Sequence, residues 1–272
     1  MSIERTTATW EYDGSFAGFL TIVDRAFRKK QFPGIILTPE TAMESLFISD
    51  WIDTNVTLAE KIVNRLQQRL TSENFRFIHD GFYATMDNKE LHLLEALAIA
   101  LDTRDSLKNF IGHPSVLAID KGLKSLFGEA HLYTGFVRFE YAGELLFSKI
   151  TPKHFSLPYI CPHFAKRYPL ESIMIYDTTH RLLALIDKGT ISFIENTDCP
   201  EFNNAQTKEG TIQKQWTAFL NSVTIQERAN KNTQMSHLPL RFRENMVEFY
   251  QTDKLSSKNS SALFWKDAKE KL

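Results

Sequence analysis

Apolar residues in the first half of the chain recur at the spacing of amphipathic helices. The predicted helix starts are Ser15 as an N-cap, the Thr57–Glu60 and Asp87–Glu90 pairs with capping-box spacing, and Pro114. Gly128 predicts the end of the last helix. Residues 9–12 predict one strand before them. The apolar stripes indicate a core, and nothing in them requires a ligand.

The middle of the chain, residues 132–195, changes to the two-residue period of β-strands. The predicted strands cover residues 136–141, 145–150, 173–176, 182–186 and 191–194. The turns between neighbouring strands are short, and short connections require antiparallel pairing. A short helix is predicted between the two groups of strands, with Pro162 in its first turn and Pro169 at its end.

The last third opens with a polar loop at 196–210, followed by a helix that carries Trp216 and Phe219 on its apolar face. Residues 225–245 are rich in Asn, Gln and Arg and are predicted to be irregular. The end of the chain is polar, and residues 262–272 could form one short helix within it.

These patterns predict the α+β class: a mainly helical N-terminal half, an antiparallel sheet of five or six strands, and a C-terminal helix with an irregular segment. We expect residues 1–250 to form one domain. Its helical part spans residues 15–130, its sheet part 132–195 and its last part 207–250. Residues 251–272 are expected to be a flexible tail.

Charge excludes a polybasic protein. The 272 residues carry a net charge of −1 and give a pI of about 6.7, so any nucleic-acid role must rest on a local patch. Segment 214–243 holds five Lys or Arg and one Glu. It is either an anion-binding patch or a solvated surface that its neighbours balance.

Two cysteines, Cys161 and Cys199, cannot form a disulfide framework. The amino terminus has no secretory pattern, and the most apolar stretch, residues 91–101, is too short to span a bilayer and is interrupted by Glu95. We therefore expect a cytoplasmic, soluble protein with no membrane partner.

The common catalytic and cofactor motifs are missing from the sequence. It contains no phosphate-binding loop, no GxGxxG after a strand, no GxSxG, no HExxH and no CxxC. Cys161 and His163 are two residues apart, which is weak spacing for metal ligands. They also suit nucleophile and base poorly, because side chains at i and i+2 diverge on a helix. No cofactor and no metal are predicted.

Three residues are candidates for catalysis. His154 and His163 flank the predicted short helix beside basic residues, and a histidine can act as a general acid or base. Asp177 could orient such a base. The structural alternatives are a histidine that caps a turn, a histidine packed in the core, and a turn-stabilising ion pair between Asp177 and Arg181.

Five arginines are candidates for binding nucleic acid or another anion: Arg138, Arg167, Arg181, Arg228 and Arg241. Arg138 lies among aromatic residues on a predicted strand, an arrangement that can hold the phosphates and bases of single strands. It could equally stack on a ring at the edge of the core with its charge in water. The segments around Arg228 and Arg241 combine arginine with asparagine. Asparagine side chains can hydrogen-bond to base edges, or they can fix the backbone of their own segment.

Several ordered motifs resemble a bacterial family that is catalogued as a domain of unknown function. They are Tyr12-Asp13-Gly14-Ser15-Phe16, Glu129-Ala130-His131, Gly135-Phe136-Val137-Arg138-Phe139, His154, Leu157-Pro158, Pro162-His163-Phe164, Arg167-Tyr168-Pro169, Ile175, Asp177, Arg181, Glu227-Arg228, Asn230, Gln234, Pro239-Leu240-Arg241-Phe242 and Asn245. The resemblance covers residues 8–250.

The resemblance implies a protein of DNA repair or DNA metabolism. It also implies a radical-SAM DNA repair protein as a partner, and some members are fused to a uracil-DNA-glycosylase-like domain. This chain has Leu132-Tyr133-Thr134 where the family has basic residues, which weakens a phosphate contact there. Cys161 stands where a small apolar residue is usual, which argues against a family-wide cysteine mechanism.

Two hypotheses follow from the sequence. In the first, the protein binds DNA through a basic surface of its second half that contains histidine and arginine, and whether it also catalyses a reaction is left open. In the second, it is a non-catalytic adaptor that binds a partner repair enzyme. The missing catalytic motifs favour the adaptor, whereas the His, Asp and Arg candidates favour the DNA-processing role.

Overall fold

The computed structural model describes residues 4–42, 48–200, 209–225, 230–246 and 249, and its contacts divide the chain after Gly128 into two compact units. The predicted α+β class is confirmed, because helices dominate the first half and a five-stranded sheet follows them. None of the described helices has both the length and the apolar character needed to cross a bilayer.

The first unit combines short strands with longer helices. Its described strands are β1 (Glu4–Arg5), β2 (Thr9–Glu11), β3 (Gln31–Phe32), β4 (Ile35–Leu37) and β5 (Asp50–Trp51). Its helices are α1 (Phe16–Lys29), α2 (Pro39–Ala42), α3 (Val56–Arg69), α4 (Ser72–Tyr83), α5 (Lys89–Thr103) and the start of α6 (Pro114–Phe136). Residues Leu107–Phe110 form a 3-10 turn.

The predicted opening strand is confirmed as β2, but its partners were not predicted. It pairs in parallel with β4, where Trp10 lies opposite Ile36, and with β5 on its other side. Strands of two or three residues are too short to show a period of two, so the sequence does not reveal them.

The helix starts are partly as predicted. The Ser15 hydroxyl accepts a hydrogen bond from the Gly18 amide at 2.9 Å, which confirms Ser15 as the cap of α1. Helix α3 is instead capped by Asn55, whose side chain accepts from the Leu58 amide at 2.9 Å. The capping box predicted from Thr57 is therefore wrong, because a cap two residues earlier already satisfies the first turn.

Helix α6 continues through Gly128 to Phe136, so the predicted helix end at Gly128 and the predicted strand over residues 136–139 are wrong. Ala130 and Tyr133 extend its buried stripe. That burial outweighs the roughly 1 kcal/mol that a glycine costs inside a helix. Arg138 consequently lies between α6 and the sheet, and its predicted place on a strand is also wrong.

The second unit is built on one sheet with the strand order β10-β9-β8-β7-β6. The strands are β6 (Glu140–Ala142), β7 (Leu145–Ile150), β8 (Ser172–Asp177), β9 (Leu182–Asp187) and β10 (Thr190–Ile194). The three hairpins are antiparallel, as predicted. Strands β7 and β8 run parallel, with Ile150 opposite Asp177, because α7 (Leu157–Arg167) connects them as a crossover. The prediction of a wholly antiparallel sheet is therefore wrong at this pair.

Helix α7 packs against the sheet through Ile160 and Phe164 on its buried face. Its first turn contains Pro158, and Pro162 lies inside the helix and is exposed, so the prediction of Pro162 in the first turn is wrong. Pro158 fits because it occupies the turn where amide hydrogens have no partner. Pro169 follows the end of the helix, as predicted.

The predicted helix in the last third is confirmed as α8 (Glu209–Val223). Within the segment predicted to be irregular, Lys231–His237 form α9, which Asn230 caps by accepting from the Thr233 amide at 3.1 Å. A 3-10 turn follows at Leu240–Phe242. The short helix predicted over residues 262–272 lies outside the described residues.

Candidate functional site

Polar side chains from four segments of the second unit meet at the carboxyl end of the parallel β7–β8 pair: the end of α6, residues 151–156, the turn at 177–181, and the 3-10 turn Leu240–Phe242. The carboxyl ends of parallel strands lie at one edge of a sheet, which brings the segments after β7 and β8 together. We call Glu129, Tyr133, His154, Asp177, His180 and Arg241 the polar cluster.

The Glu129 carboxylate organises the polar cluster from the buried face of α6, where it is 1% exposed. It accepts hydrogen bonds from the amides of Lys153 at 3.1 Å and His154 at 2.9 Å. Its Oε2 atom also lies 3.5 Å from Nη1 of Arg241. A buried carboxylate requires such partners. Glu129 therefore fixes the backbone of residues 153–154 and holds Arg241 beside it.

Asp177 and His180 form a second, tightly bonded pair in the turn after β8. One oxygen of the buried Asp177 carboxylate accepts from the amides of Thr179 at 2.9 Å and His180 at 3.0 Å. The other lies 2.7 Å from Nδ1 of His180. Because an ionised carboxylate only accepts hydrogen bonds, Nδ1 carries a proton, and Nε2 is therefore the nitrogen that can act as an acceptor when the ring is neutral. The ring is also held by an edge contact with Phe155 at 5.1 Å.

Arg241 brings a positive charge to the cluster from a half-exposed position. Its guanidinium lies 4.8 Å from the centre of the Phe242 ring and contacts Glu129 at one nitrogen. Among the described residues, the guanidinium donates no hydrogen bond. Arg241 is therefore held in place while its planar set of N–H donors stays available to a carboxylate or a phosphate.

His154 is completely buried beside these charges. Burial lowers its pKa from the ordinary value of 6.5. The Glu129 carboxylate opposes that shift, and the positive charges of Lys153, Arg241 and protonated His180 reinforce it. His154 is therefore kept as a neutral imidazole inside the cluster.

The Tyr133 hydroxyl is buried next to the same charges. Burial and the Glu129 carboxylate raise its pKa above the ordinary value of 10.0. The hydroxyl makes no hydrogen bond of normal geometry with the described residues, although the Thr151 backbone is close enough to lower that pKa slightly. A buried polar group without a partner is uncommon in folded proteins and points to an additional ligand or water.

Three of the residues predicted as site residues belong to the polar cluster: His154, Asp177 and Arg241. Arg181 turns away from Asp177 and pairs with Asp198 at 2.7 Å, so the predicted Asp177–Arg181 ion pair is wrong. The reason lies in the turn itself, because His180 already occupies the free oxygen of Asp177.

The remaining arginines lie in other places in the second unit or outside the described residues. Arg167, at the end of α7, donates to the Tyr168 hydroxyl at 3.3 Å. Arg138 donates to the Gly135 carbonyl at 3.1 Å. Arg228 lies outside the described residues, so its predicted contact with an anion stays a prediction.

His163 lies inside α7, not beside it as predicted, because the helix starts five residues before Pro162. Its ring contacts Phe164 edge-on at 5.1 Å. Its Nε2 atom is buried and has no hydrogen-bond partner among the described residues. The structure does not place it with the polar cluster, and its predicted catalytic role stays a prediction.

Sequence reasoning missed Glu129, Tyr133 and His180 as site residues. Glu129 could have been found as a carboxylate on the apolar stripe of a helix, because a buried acid usually has a specific partner. His180 could have been found as the third residue after Asp177 in a tight turn, where the two side chains meet. No signal in the sequence marks Tyr133.

A reactive cysteine and a metal site can be compared with the described residues. Burial raises the pKa of the Cys161 thiol to about 12, so it is a neutral core group at physiological pH. Over the part of the chain that the structure describes, no group of three or more His, Cys, Asp or Glu side chains is arranged to hold a metal ion.

A comparison with protein families found one match. The model of a family described as a domain of unknown function, DUF4130, matches residues 87–248. The matched region is more than half of the chain and contains the whole polar cluster. Searches of curated proteins and of solved structures found no match.

Proposed function

The chain belongs to the DUF4130 family, whose name states no activity, and we propose that it binds nucleic acid in DNA repair or DNA metabolism. In this proposal Arg241 binds a backbone phosphate at the edge of the polar cluster. The motif resemblance supports the DNA-metabolism role and a radical-SAM repair protein as a partner. The observation that carries the proposal is the fixed, half-exposed guanidinium of Arg241, which has no hydrogen bond within the described residues.

The environment of Arg241 suits an anion of this kind. Its contacts with Glu129 and Phe242 reduce the rotamer freedom that binding would otherwise remove. Lys153 is exposed on the neighbouring segment, and its charge reaches His154, as does that of Arg241. Both cations therefore lie close to His154, whereas the carboxylates of Glu129 and Asp177 are buried. A phosphate can bind to the cations without facing an exposed carboxylate.

The proposal is tested by fluorescence anisotropy with a labelled single-stranded oligodeoxynucleotide and its duplex over a series of salt concentrations. We expect affinity to fall with salt, because phosphate contacts release counterions. Arg241→Gln should weaken binding about 10-fold, or ~1.4 kcal/mol, and reduce the salt slope by about 1.

Arg65→Gln is the matched control, because it removes the same charge from an exposed position on α3. It should leave both affinity and salt slope nearly unchanged. Equal losses in the two variants would indicate nonspecific attraction. Binding that is undetectable or independent of salt would overturn the proposal.

The adaptor function is the second candidate, and one observation favours it. Helix α8 exposes a stripe of large apolar side chains at helical spacing: Ile212 (45% exposed), Trp216 (39%), Phe219 (54%) and Val223 (53%). Exposed apolar stripes of this kind occur at protein–protein interfaces. The test is co-purification with a radical-SAM repair protein of the same organism. Phe219→Ser should abolish the complex if α8 is the interface, and Lys214→Ser on the same helix should not.

A further inference from the structure

We propose that His180 is the general base of a hydrolytic site that cleaves a phosphodiester held by Arg241. The inference rests on the proposed function, since it assigns a reaction to the same phosphate site. It is carried by the geometry of the Asp177–His180 pair and by the side chains that surround it.

His180 is oriented as a base needs to be. The Asp177 carboxylate fixes Nδ1 at 2.7 Å and is itself fixed by two backbone amides, so the imidazole keeps one tautomer and one orientation. The side chain is 24% exposed, and Nε2 makes no hydrogen bond with any described residue. A neutral imidazole with a fixed, accessible Nε2 can accept a proton from water.

Arg241 and His180 are linked through Glu129 and residues 153–155. Glu129 joins Arg241 to the amides of residues 153 and 154, and Phe155, the next residue, contacts the His180 ring. The phosphate-binding arginine and the base are therefore connected through three consecutive residues, and both act on the buried His154. The Tyr133 hydroxyl is buried among the same charges and has no hydrogen bond of normal geometry with the described residues.

The step is a hydrolysis. Water attacks phosphorus, its proton passes to Nε2 of His180, and the new P–O bond forms as the bond to the leaving oxygen breaks. The leaving oxygen takes a proton from solvent, and His180 returns its proton to solvent. Arg241 stabilises the charge on the non-bridging oxygens in the transition state. The products are a phosphomonoester and an alcohol.

Two substrates test this activity: bis(4-nitrophenyl) phosphate, read by release of 4-nitrophenolate, and a fluorescent single-stranded oligodeoxynucleotide, read by its cleavage products. The wild-type chain should hydrolyse at least one of them. His180→Gln should lower kcat by about 100-fold or more, the usual contribution of a general base. His131→Gln, at an exposed position on α6, should keep the wild-type rate when prepared identically.

Two further measurements separate a catalytic role from a structural one. His180→Ala should regain activity when imidazole is added, which a folding defect would not allow. The wild-type rate should rise with pH, because a general base works only after it has lost its own proton. Among the described residues, Asp177 bonds to His180 and His154 interacts with it, while Glu129, Lys153 and Arg241 act on His154. Asp177→Asn should therefore alter this pH profile.

The outcomes separate the two proposals. If the wild-type chain hydrolyses neither substrate, or if His180→Gln keeps the full rate, the hydrolytic inference is overturned. The phosphate site then still stands, provided that Arg241→Gln weakens oligonucleotide binding. If the oligonucleotide is not bound at all, the proposed function fails and the hydrolytic inference fails with it.

Discussion

Two tyrosines, one in each unit, are equally inaccessible to solvent but differ in what their hydroxyl groups contact. Tyr12 is fully buried and donates to Glu90 at 2.8 Å. Tyr133 is 4% exposed, and its hydroxyl has no partner of normal geometry among the described residues. An unmade buried hydrogen bond costs roughly 1–3 kcal/mol. The Tyr12 hydroxyl therefore stabilises the first unit. The Tyr133 hydroxyl stays available to a ligand, and its unmade hydrogen bond lowers the stability of the second unit.

A second pair of polar side chains, one from each unit, shows the same contrast. In the first unit, buried Asn74 accepts from the Leu107 amide at 2.9 Å and donates to the Asp105 carbonyl at 2.8 Å. In the second unit, Arg241 is fixed within the polar cluster and donates no hydrogen bond within the described residues. Polar groups saturated by their own chain are structural, and polar groups held in place but unsaturated are where a ligand can bind.

The largest effect should come from removing a saturated group. Asn74→Ala leaves the buried Leu107 amide without its acceptor and the Asp105 carbonyl without its donor, so we expect the free energy of unfolding to fall by about 2–4 kcal/mol. Urea denaturation measures it. Asn64→Ala, at an exposed position of α3, should change stability by less than about 0.5 kcal/mol. If the two variants unfold at the same urea concentration, Asn74 is not the structural link described here.

The two tyrosines give the direct comparison. Tyr12→Phe should lower the free energy of unfolding by about 1–3 kcal/mol, because Glu90 remains buried without its donor. Tyr133→Phe should change it by less than about 0.5 kcal/mol, since no hydrogen bond of normal geometry is lost. Both are measured by urea denaturation. Equal losses in the two variants would show that Tyr133 is as structural as Tyr12.

The sequence predicted those parts of the fold that local patterns determine. The cap at Ser15, the helix start at Pro114, the hairpins of the sheet and helix α8 all follow from residue type and periodicity within a few positions. The errors arise where a distant contact decides. Gly128 indicates a helix end by residue type alone. The helix continues because Tyr133, on the apolar stripe of α6, is buried.

The sequence predicted three of the six residues of the polar cluster, and it missed the contacts between distant segments that bring them together. His154, Asp177 and Arg241 were selected because their chemistry is visible in the sequence. The parallel pairing of β7 with β8 brings His154 and Asp177 together. This pairing was not predicted, because the hairpin signals in the sequence suggested that all the strands are antiparallel. Glu129 was missed because a carboxylate on an apolar helix face becomes informative only when its partners are known.

The smallest effect concerns the acid stability of the polar cluster. Burial lowers the pKa of His154 below its ordinary value of 6.5, so the unfolded chain binds a proton there more readily than the folded chain. Stability from this group is fully present above pH 6.5 and is lost as the pH falls from there through the lower pKa of the folded state. The melting temperature of the wild-type chain should therefore decrease on acidification across this range.

His154→Gln removes the proton-binding group, and its melting temperature should depend less steeply on pH, by a few degrees over the range. His131→Gln, an exposed histidine on α6, should follow the wild-type curve. A His154→Gln curve parallel to wild type would mean that His154 takes up its proton equally in both states. In that case water would reach His154 in the folded state. The polar cluster would then differ from Tyr12 and Asn74 of the first unit in its exposure to solvent, and not in the number of its hydrogen-bond partners.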